Sequence, residues 1–175
     1  MGANRRGDDM ASELAGQLNV LLEVLYAMAL AGSIGVEREI KNRPAGFRTH
    51  MLVGGAAAFL VGIGDLVMAE SMREESPALV VDPFRLVEAV IAGVSFIGAG
   101  TIFAQRGAGT VTGITTAASL LMVAVIGVAV GFDYNVLALL ITAATLSVLV
   151  LLAWIERLIA RRRPPGGGSP RRASA

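Results

Sequence analysis

Five apolar stretches alternate with short polar segments along the 175 residues of the chain. Each stretch is close to the roughly 20 apolar residues that an α-helix needs to cross the core of a bilayer. The predicted helices are 18–36, 51–69, 86–104, 112–131 and 136–155. We therefore predict an all-α integral membrane protein, with a five-helix domain at 18–156. A polar segment, 1–17, precedes this domain, and a basic tail, 157–175, follows it and is predicted to be disordered.

Composition supports a membrane protein and excludes several kinds of catalytic chemistry. Hydrophobic residues make up 54% of the chain and charged residues 17%, a balance that excludes a disordered chain and fits an ordinary soluble domain poorly. No cysteine is present, which excludes disulfides and thiol catalysis. The chain also lacks a phosphate-binding loop of the Gly-Lys-Ser/Thr type and a zincin motif. We therefore predict that the protein is not an enzyme and has no cofactor.

The basic residues predict how the helices are oriented. With the N-terminus outside, eleven of the 15 Lys and Arg residues lie on the cytoplasmic side, including Lys41, Arg106 and the tail after Trp154. The positive-inside rule favours this arrangement, with the N-terminus out and the C-terminus in. The tail is expected to contact anionic lipid headgroups and not nucleic acid.

A charged segment joins the first two predicted helices and meets the start of the fourth. Its polar residues form a predicted functional cluster on the cytoplasmic side. They are Glu37, Arg38, Glu39, Arg43, Arg48, Thr49, His50, Arg106, Thr115 and Thr116. With Thr112 and Ser119, the two threonines make a hydroxyl stripe at helical spacing. Such a cluster can bind an anion, gate a pore or dock a partner; alternatively, it is a salt-bridged collar whose hydroxyls bond backbone carbonyls.

Four acidic residues are predicted to lie near the opposite, outer face. They are Glu23, Asp65, Asp82 and Glu88. Carboxylates grouped at one mouth attract cations, and an ionisable group inside a membrane helix is a candidate functional group. Carboxylates with waters suit Mg²⁺, for which Asp82 and Glu88 are weak candidate ligands. The alternative is that each acid lies near a helix end and reaches water or an arginine.

Small residues recur every four positions along three of the predicted helices. The sets are Ala27, Ala31 and Gly35; Gly54, Ala58 and Gly62; and Gly127 and Gly131. Membrane helices associate by close packing through such residues. This pattern predicts a compact bundle, whose partners are lipids and either further copies of the chain or other membrane proteins.

Several ordered motifs resemble those of one family, the MgtC/SapB family of bacterial inner-membrane proteins. The motifs are Glu37-Arg38-Glu39, Arg43-Pro-Ala-Gly-Phe-Arg-Thr-His50, Asp82-Pro83-x-Arg85, Gly98-Ala-Gly100 and Gly113-Ile-Thr-Thr-Ala-Ala118. The resemblance covers about residues 20–131. Many members carry a soluble domain after the last helix, and this chain is expected to lack it.

The resemblance implies five spans in the inner membrane and a role in growth when Mg²⁺ is scarce. In pathogens it also implies survival inside host cells, and so a link to virulence. Two functions follow from the resemblance: Mg²⁺ transport, or regulation of other membrane proteins such as the ATP synthase. Mg²⁺ is then a transported or a sensed ion. A third interpretation is lipid-headgroup binding at the basic cluster, through Arg43 and Arg48.

Overall fold

A computed structural model describes residues 2–73, 82–104 and 112–162. These ranges contain five helices and no strand: α1 (Gly2–Ile40), α2 (Phe47–Arg73), α3 (Pro83–Ala104), α4 (Ile114–Gly131) and α5 (Asn135–Arg162). All five are long and apolar enough to cross a membrane. The predicted all-α membrane bundle is confirmed, and the orientation of its ends remains a prediction.

Two helices extend beyond the apolar stretches from which they were predicted. α1 begins at Gly2, so the polar segment continues the helix of the first span. α5 ends at Arg162, so residues 157–162 are helical although the basic tail was predicted to be disordered. Arg, Leu and Ala favour helix whether or not they are in lipid, and the first proline after Trp154 is Pro164. Residues 163–175 lie outside the described part of the chain.

The helices are arranged around α4. This helix contacts all four others, whereas α3 contacts only α2 and α4, and α5 contacts only α1 and α4, within the described ranges. α1, α2 and α4 therefore form a three-helix centre with α3 and α5 added to its sides. Half of the α4 span is buried by the protein, against 11% of the spans of α3 and of α5. The outer surfaces of these two helices are apolar and suited to lipid.

The three central helices meet through small residues, as their spacing predicted. The backbone of Gly54 on α2 lies so close to Gly127 on α4 that a Cβ at Gly127 would overlap the Gly54 carbonyl oxygen. A Cβ at Gly54 would lie 2.6 Å from the Cβ of Ala31 on α1. Around this crossing, the side chains are fully buried and apolar; they include Ala27, Ala31, Ile34, Ala58, Val123 and Ile126. We call this region the apolar core.

Two helices end in the same backbone motif. At the end of α1, Asn42 N donates to Glu39 O and Arg43 N donates to Arg38 O. At the end of α4, Asp133 N donates to Val130 O, and Tyr134 N to Ala129 O. These pairs are the Schellman motif, whose left-handed residue is here Asn42 (φ 51°) and Asp133 (φ 63°). The motif places polar side chains at both turns.

Gly127→Ala is expected to destabilise the bundle, because its Cβ would meet the Gly54 carbonyl and lie 2.9 Å from the Ala57 Cβ. Overpacking of this kind costs about 1–3 kcal/mol. The measurement is reversible unfolding in detergent micelles. Gly93→Ala is the matched control, since among the described residues no atom beyond its own helix backbone lies within 4 Å of the Cβ that it adds. Equal stability of the two variants would contradict the packing described.

Candidate functional site

The turn between α1 and α2 is held by a carboxylate from α1. Glu39 Oε2 accepts a hydrogen bond of 2.8 Å from Phe47 N, at the first turn of α2. An acidic group at a helix N-terminus also interacts favourably with the helix dipole. Gly46 makes room for this contact, because a Cβ there would lie 2.8 Å from Glu39 Oε2. Glu39 thus fixes the angle at which the second helix leaves the turn.

Three charged side chains form a chain of ion pairs at the end of α1. Glu37 Oε2 lies 3.4 Å from Arg38 Nε, and Glu37 Oε1 pairs with Lys41 Nζ. Lys41 Nζ also donates to Leu149 O on α5, at 3.1 Å. Lys41 therefore links the turn between α1 and α2 to α5, which lies at one side of the bundle. The Arg38 side chain is 4% exposed and that of Glu37 10%, so these charges are almost entirely removed from water.

His50 joins α2 to α4 and is completely buried. Its Nδ1 lies 2.9 Å from Gly46 O and its Nε2 lies 3.0 Å from Ser119 Oγ. Because a carbonyl only accepts, Nδ1 is the donor to Gly46 O. The Ser119 hydroxyl is also 2.8 Å from Thr116 O, so its single proton is shared between that carbonyl oxygen and His50 Nε2, which accepts when Nδ1 carries the ring proton. We name Glu37, Arg38, Lys41, His50, Thr116 and Ser119 the hinge cluster.

The structure divides the predicted cytoplasmic cluster into buried and exposed members. Arg38, His50 and Thr116 are buried and Glu37 nearly so, whereas Glu39, Arg43, Arg48 and Thr115 are exposed and Thr49 is half-buried. The hydroxyl stripe is divided too, because Thr116 and Ser119 face the protein and Thr115 faces outward. Arg106 lies outside the described residues.

A second polar site lies at the other end of the three-helix centre. Glu23 on α1, Asp65 on α2 and Asp133 after α4 line one cavity of about 270 Å³. Glu23 is buried, and its Oε1 accepts a 2.8 Å hydrogen bond from Asn19 Nδ2. Asp65 and Asp133 are exposed. We name this site the acidic pocket.

Two of the four predicted outer acids do not line this pocket. Asp82 is the residue before α3, and its Oδ1 accepts a 3.0 Å hydrogen bond from Phe84 N and so caps the helix. Glu88 is exposed on α3, which does not contact α1 in the described ranges. Within those ranges, no group of three or more His, Asp or Glu side chains has the geometry to hold a metal ion directly.

Sequence reasoning missed Asp133 and Asn19 as members of the acidic pocket. Asn19 lies four residues before Glu23, a helical spacing that places the two side chains on one face. Asp133 lies in the short turn between the last two predicted spans, on the same side as Glu23 and Asp65. An αL position in such a turn favours Gly, Asn or Asp, and that preference explains why an acid stands there.

Ser119→Ala is expected to destabilise the protein by about 1–3 kcal/mol, because it leaves a buried His50 nitrogen without its partner. The measurement is unfolding in micelles. Thr115→Ala is the matched control: it removes an exposed hydroxyl from the preceding turn of α4. In a double-mutant cycle with His50→Ala, we expect the two losses to be non-additive. Additive losses would show that the contact contributes nothing.

Comparison with known proteins agrees with the motifs found in the sequence. The chain matches the MgtC family over residues 24–158. It is 33% identical over 150 residues to an uncharacterized protein of Haemophilus influenzae, covering 83% of this chain and 62% of that protein. It is 33% identical over 129 residues to the Escherichia coli K12 protein named "Putative magnesium transporter YhiD", covering 74% of this chain and 58% of YhiD.

Two further relatives carry the names SapB and SrpB. SapB of Bacillus subtilis is 30% identical over 141 residues, which are 81% of this chain and 60% of SapB. SrpB of Synechococcus elongatus is 34% identical over 159 residues, 82% of this chain and 85% of SrpB. The chain thus spans about three fifths of the length of most of these relatives. No solved structure matches it. On the family match and the five apolar helices, the chain is a multi-pass membrane protein that belongs to the MgtC family.

Proposed function

We propose that this protein supports magnesium homeostasis from the bacterial inner membrane, by regulating other membrane proteins and not by conducting Mg²⁺ through a single protomer. Membership of the MgtC family supports the magnesium role, as does the name of YhiD, which proposes magnesium transport for that relative. The choice of regulation over conduction rests on one observation, the apolar core that separates the two polar sites.

The apolar core leaves no polar route between these sites along the three central helices. Ala27, Ile34, Ala58 and Val123 are among its fully buried residues, and the Gly54–Gly127 approach brings the backbones of α2 and α4 into contact. Mg²⁺ gives up its water reluctantly and requires about six oxygen ligands. Transfer of a charged group into apolar surroundings without such ligands is strongly unfavourable. The closed core therefore argues against conduction along this path.

The acidic pocket is suited to a hydrated divalent cation. A cavity needs only about 10–15 Å³ of accessible volume to hold one water, and the pocket has about 270 Å³, so it has room for an ion with its waters. Glu23, Asp65 and Asp133 do not converge closely enough to replace those waters, but their charges raise the local cation concentration. We infer that Mg²⁺ occupies this pocket with its waters, and that occupancy rises with the external Mg²⁺ concentration.

α4 connects the acidic pocket to the hinge cluster. Its last residue, Gly131, lines the pocket, and Ser119 near its start bonds His50. When the pocket is empty, three like charges repel one another across α1, α2 and the turn after α4. Cation binding removes this repulsion and lets the three elements move closer together. We infer that the packing of α4 transmits this movement to the hinge end, by which we mean the end of the bundle that holds the hinge cluster. A membrane protein partner binds there.

Asp65→Asn and Asp133→Asn are expected to abolish the support of growth at limiting Mg²⁺, because they remove the charges that attract the cation. The measurement is growth of a strain that lacks its own copy of the gene, complemented by each variant. Asp82→Asn and Glu88→Gln are the matched controls, since both remove exposed acids outside the pocket. Equal growth with all four variants would contradict a role for the pocket.

Purified protein in sealed vesicles is expected to give no Mg²⁺ influx above that of empty vesicles, as reported by an enclosed Mg²⁺-sensitive dye. The reason is the apolar core. Circular dichroism of the same vesicles establishes that the protein is folded. Influx that increases with protein content and falls in Asp65→Asn would contradict regulation without conduction.

That contrary result would support a second candidate function, Mg²⁺ transport. The acidic pocket favours it, because a group of carboxylates near one membrane face concentrates the ion at the entrance of a path. Since the three-helix centre is closed, such a path would lie between copies of the chain.

A further inference from the structure

The ion pairs of the hinge cluster do not balance in charge. Arg38 and Lys41 are both cations, and both pair with the single carboxylate of Glu37. The neighbouring acid Glu39 is exposed, and its Oε2 accepts from Phe47 N. Among the described residues, no further ion pair involves this group. One positive charge is therefore left over at a place where the arginine side chain is 4% exposed.

The Arg38 guanidinium also has two donor nitrogens without a hydrogen-bond partner among the described residues. Glu37 lies on its Nε side, at 3.4 Å. Nε, despite this ion pair, and Nη1 are both buried and have no hydrogen-bond partner in the part of the chain that the structure describes, and the same holds for the two carboxylate oxygens of Glu37. A buried charged donor without an acceptor is costly. An acceptor that also carries a negative charge would satisfy the donor and balance the charge together.

We propose that the hinge end of the bundle binds an oxyanion of the phosphate class, with Arg38 as its buried donor. Arginine suits phosphate because its planar fork matches two oxygens of the anion. Arg43 forms the exposed rim of the site: its backbone N donates to Arg38 O at 3.0 Å, and its side chain reaches the surface. This proposal is independent of the magnesium role and of the acidic pocket.

The position of Arg38 agrees with either of two sources for the anion. Arg38 is two residues from the end of α1 at Ile40, or about 3 Å along the helix axis at 1.5 Å per residue. The apolar span of α1 also ends at Ile40, and the ends of a membrane span are where lipid phosphates meet water. The phosphate of an anionic lipid and free inorganic phosphate share the chemistry that Arg38 recognises, so the experiment has an arm for each.

The experiment measures the melting temperature of the delipidated full-length protein in detergent. One arm adds inorganic phosphate, with sodium chloride of equal ionic strength as the control. The other adds phosphatidylglycerol, with diacylglycerol, which has no phosphate, as the control. We expect phosphate or phosphatidylglycerol to raise the melting temperature above its control. A rise with inorganic phosphate assigns the site to free phosphate, and a rise with the lipid alone assigns it to a headgroup.

Four variants test whether the effect comes from this site. The quantity compared is the half-maximal concentration, at which phosphate or phosphatidylglycerol gives half of its maximal rise in melting temperature. Arg38→Gln is expected to raise this concentration by about tenfold or more, as loss of a charged hydrogen bond implies. Arg43→Gln is expected to raise it less. Glu37→Gln is expected to lower it, because the competing carboxylate becomes neutral. Arg85→Gln, on an exposed arginine at the start of α3, is the matched control and is expected to change nothing.

The proposal fails if neither probe raises the melting temperature above its control. It also fails if the half-maximal concentration is the same in the wild type, Arg43→Gln and Glu37→Gln. Arg43→Gln changes an exposed side chain, so it provides the test even if the variants of the buried residues do not fold.

Discussion

The close approach of α2 and α4 at Gly54 and Gly127 is the contact on which the rest of the bundle depends. Lipid supplies no hydrophobic drive between membrane helices, so they associate by packing wherever their backbones can approach. Here the backbones touch, and the Ala31 side chain of α1 fills the remaining side of the contact. This crossing makes α4 the centre of the fold, and it closes the space through which water or an ion would pass. It also holds Ser119 of α4 within hydrogen-bonding distance of His50.

A closed centre with a polar site at each end suggests how the protein works. One end has an excess of negative charge around a cavity, and the other has an excess of positive charge around a buried arginine. Ions of opposite sign are thus attracted to opposite ends of the same three helices. A packed core changes between discrete arrangements and does not deform continuously. Ligand binding at one end can therefore change the arrangement of residues at the other end through α4. This arrangement is the basis of the proposal that the protein responds to ions without conducting them.

The sequence predicted the fold more fully than the sites, for physical reasons. Hydropathy indicates which segments lie in lipid, but not where a helix ends, and for this reason α1 and α5 are longer than predicted. Small residues recur every four positions from Ala27, from Gly54 and from Gly127, each on its own helix. This spacing predicted which helix faces pack closely, since residues four apart lie on one side of any helix. Which helices are neighbours is not encoded in that spacing. Glu88 was therefore grouped with Glu23, although α3 packs away from α1. Asp133 was not predicted as a member of the acidic pocket because its position depends on the conformation of the turn after α4.

The measurement that tests this account most directly is the accessibility of single cysteines in the bilayer. The chain has no cysteine of its own, so each introduced thiol is read without background. Ala58→Cys lies in the apolar core, Asp65→Cys in the acidic pocket and Arg43→Cys at the hinge end. With a thiol reagent that does not cross membranes, we expect Asp65→Cys and Arg43→Cys to react from opposite faces and Ala58→Cys to react from neither. Reaction of a folded Ala58→Cys protein would show that water enters the core, and would contradict the closed centre.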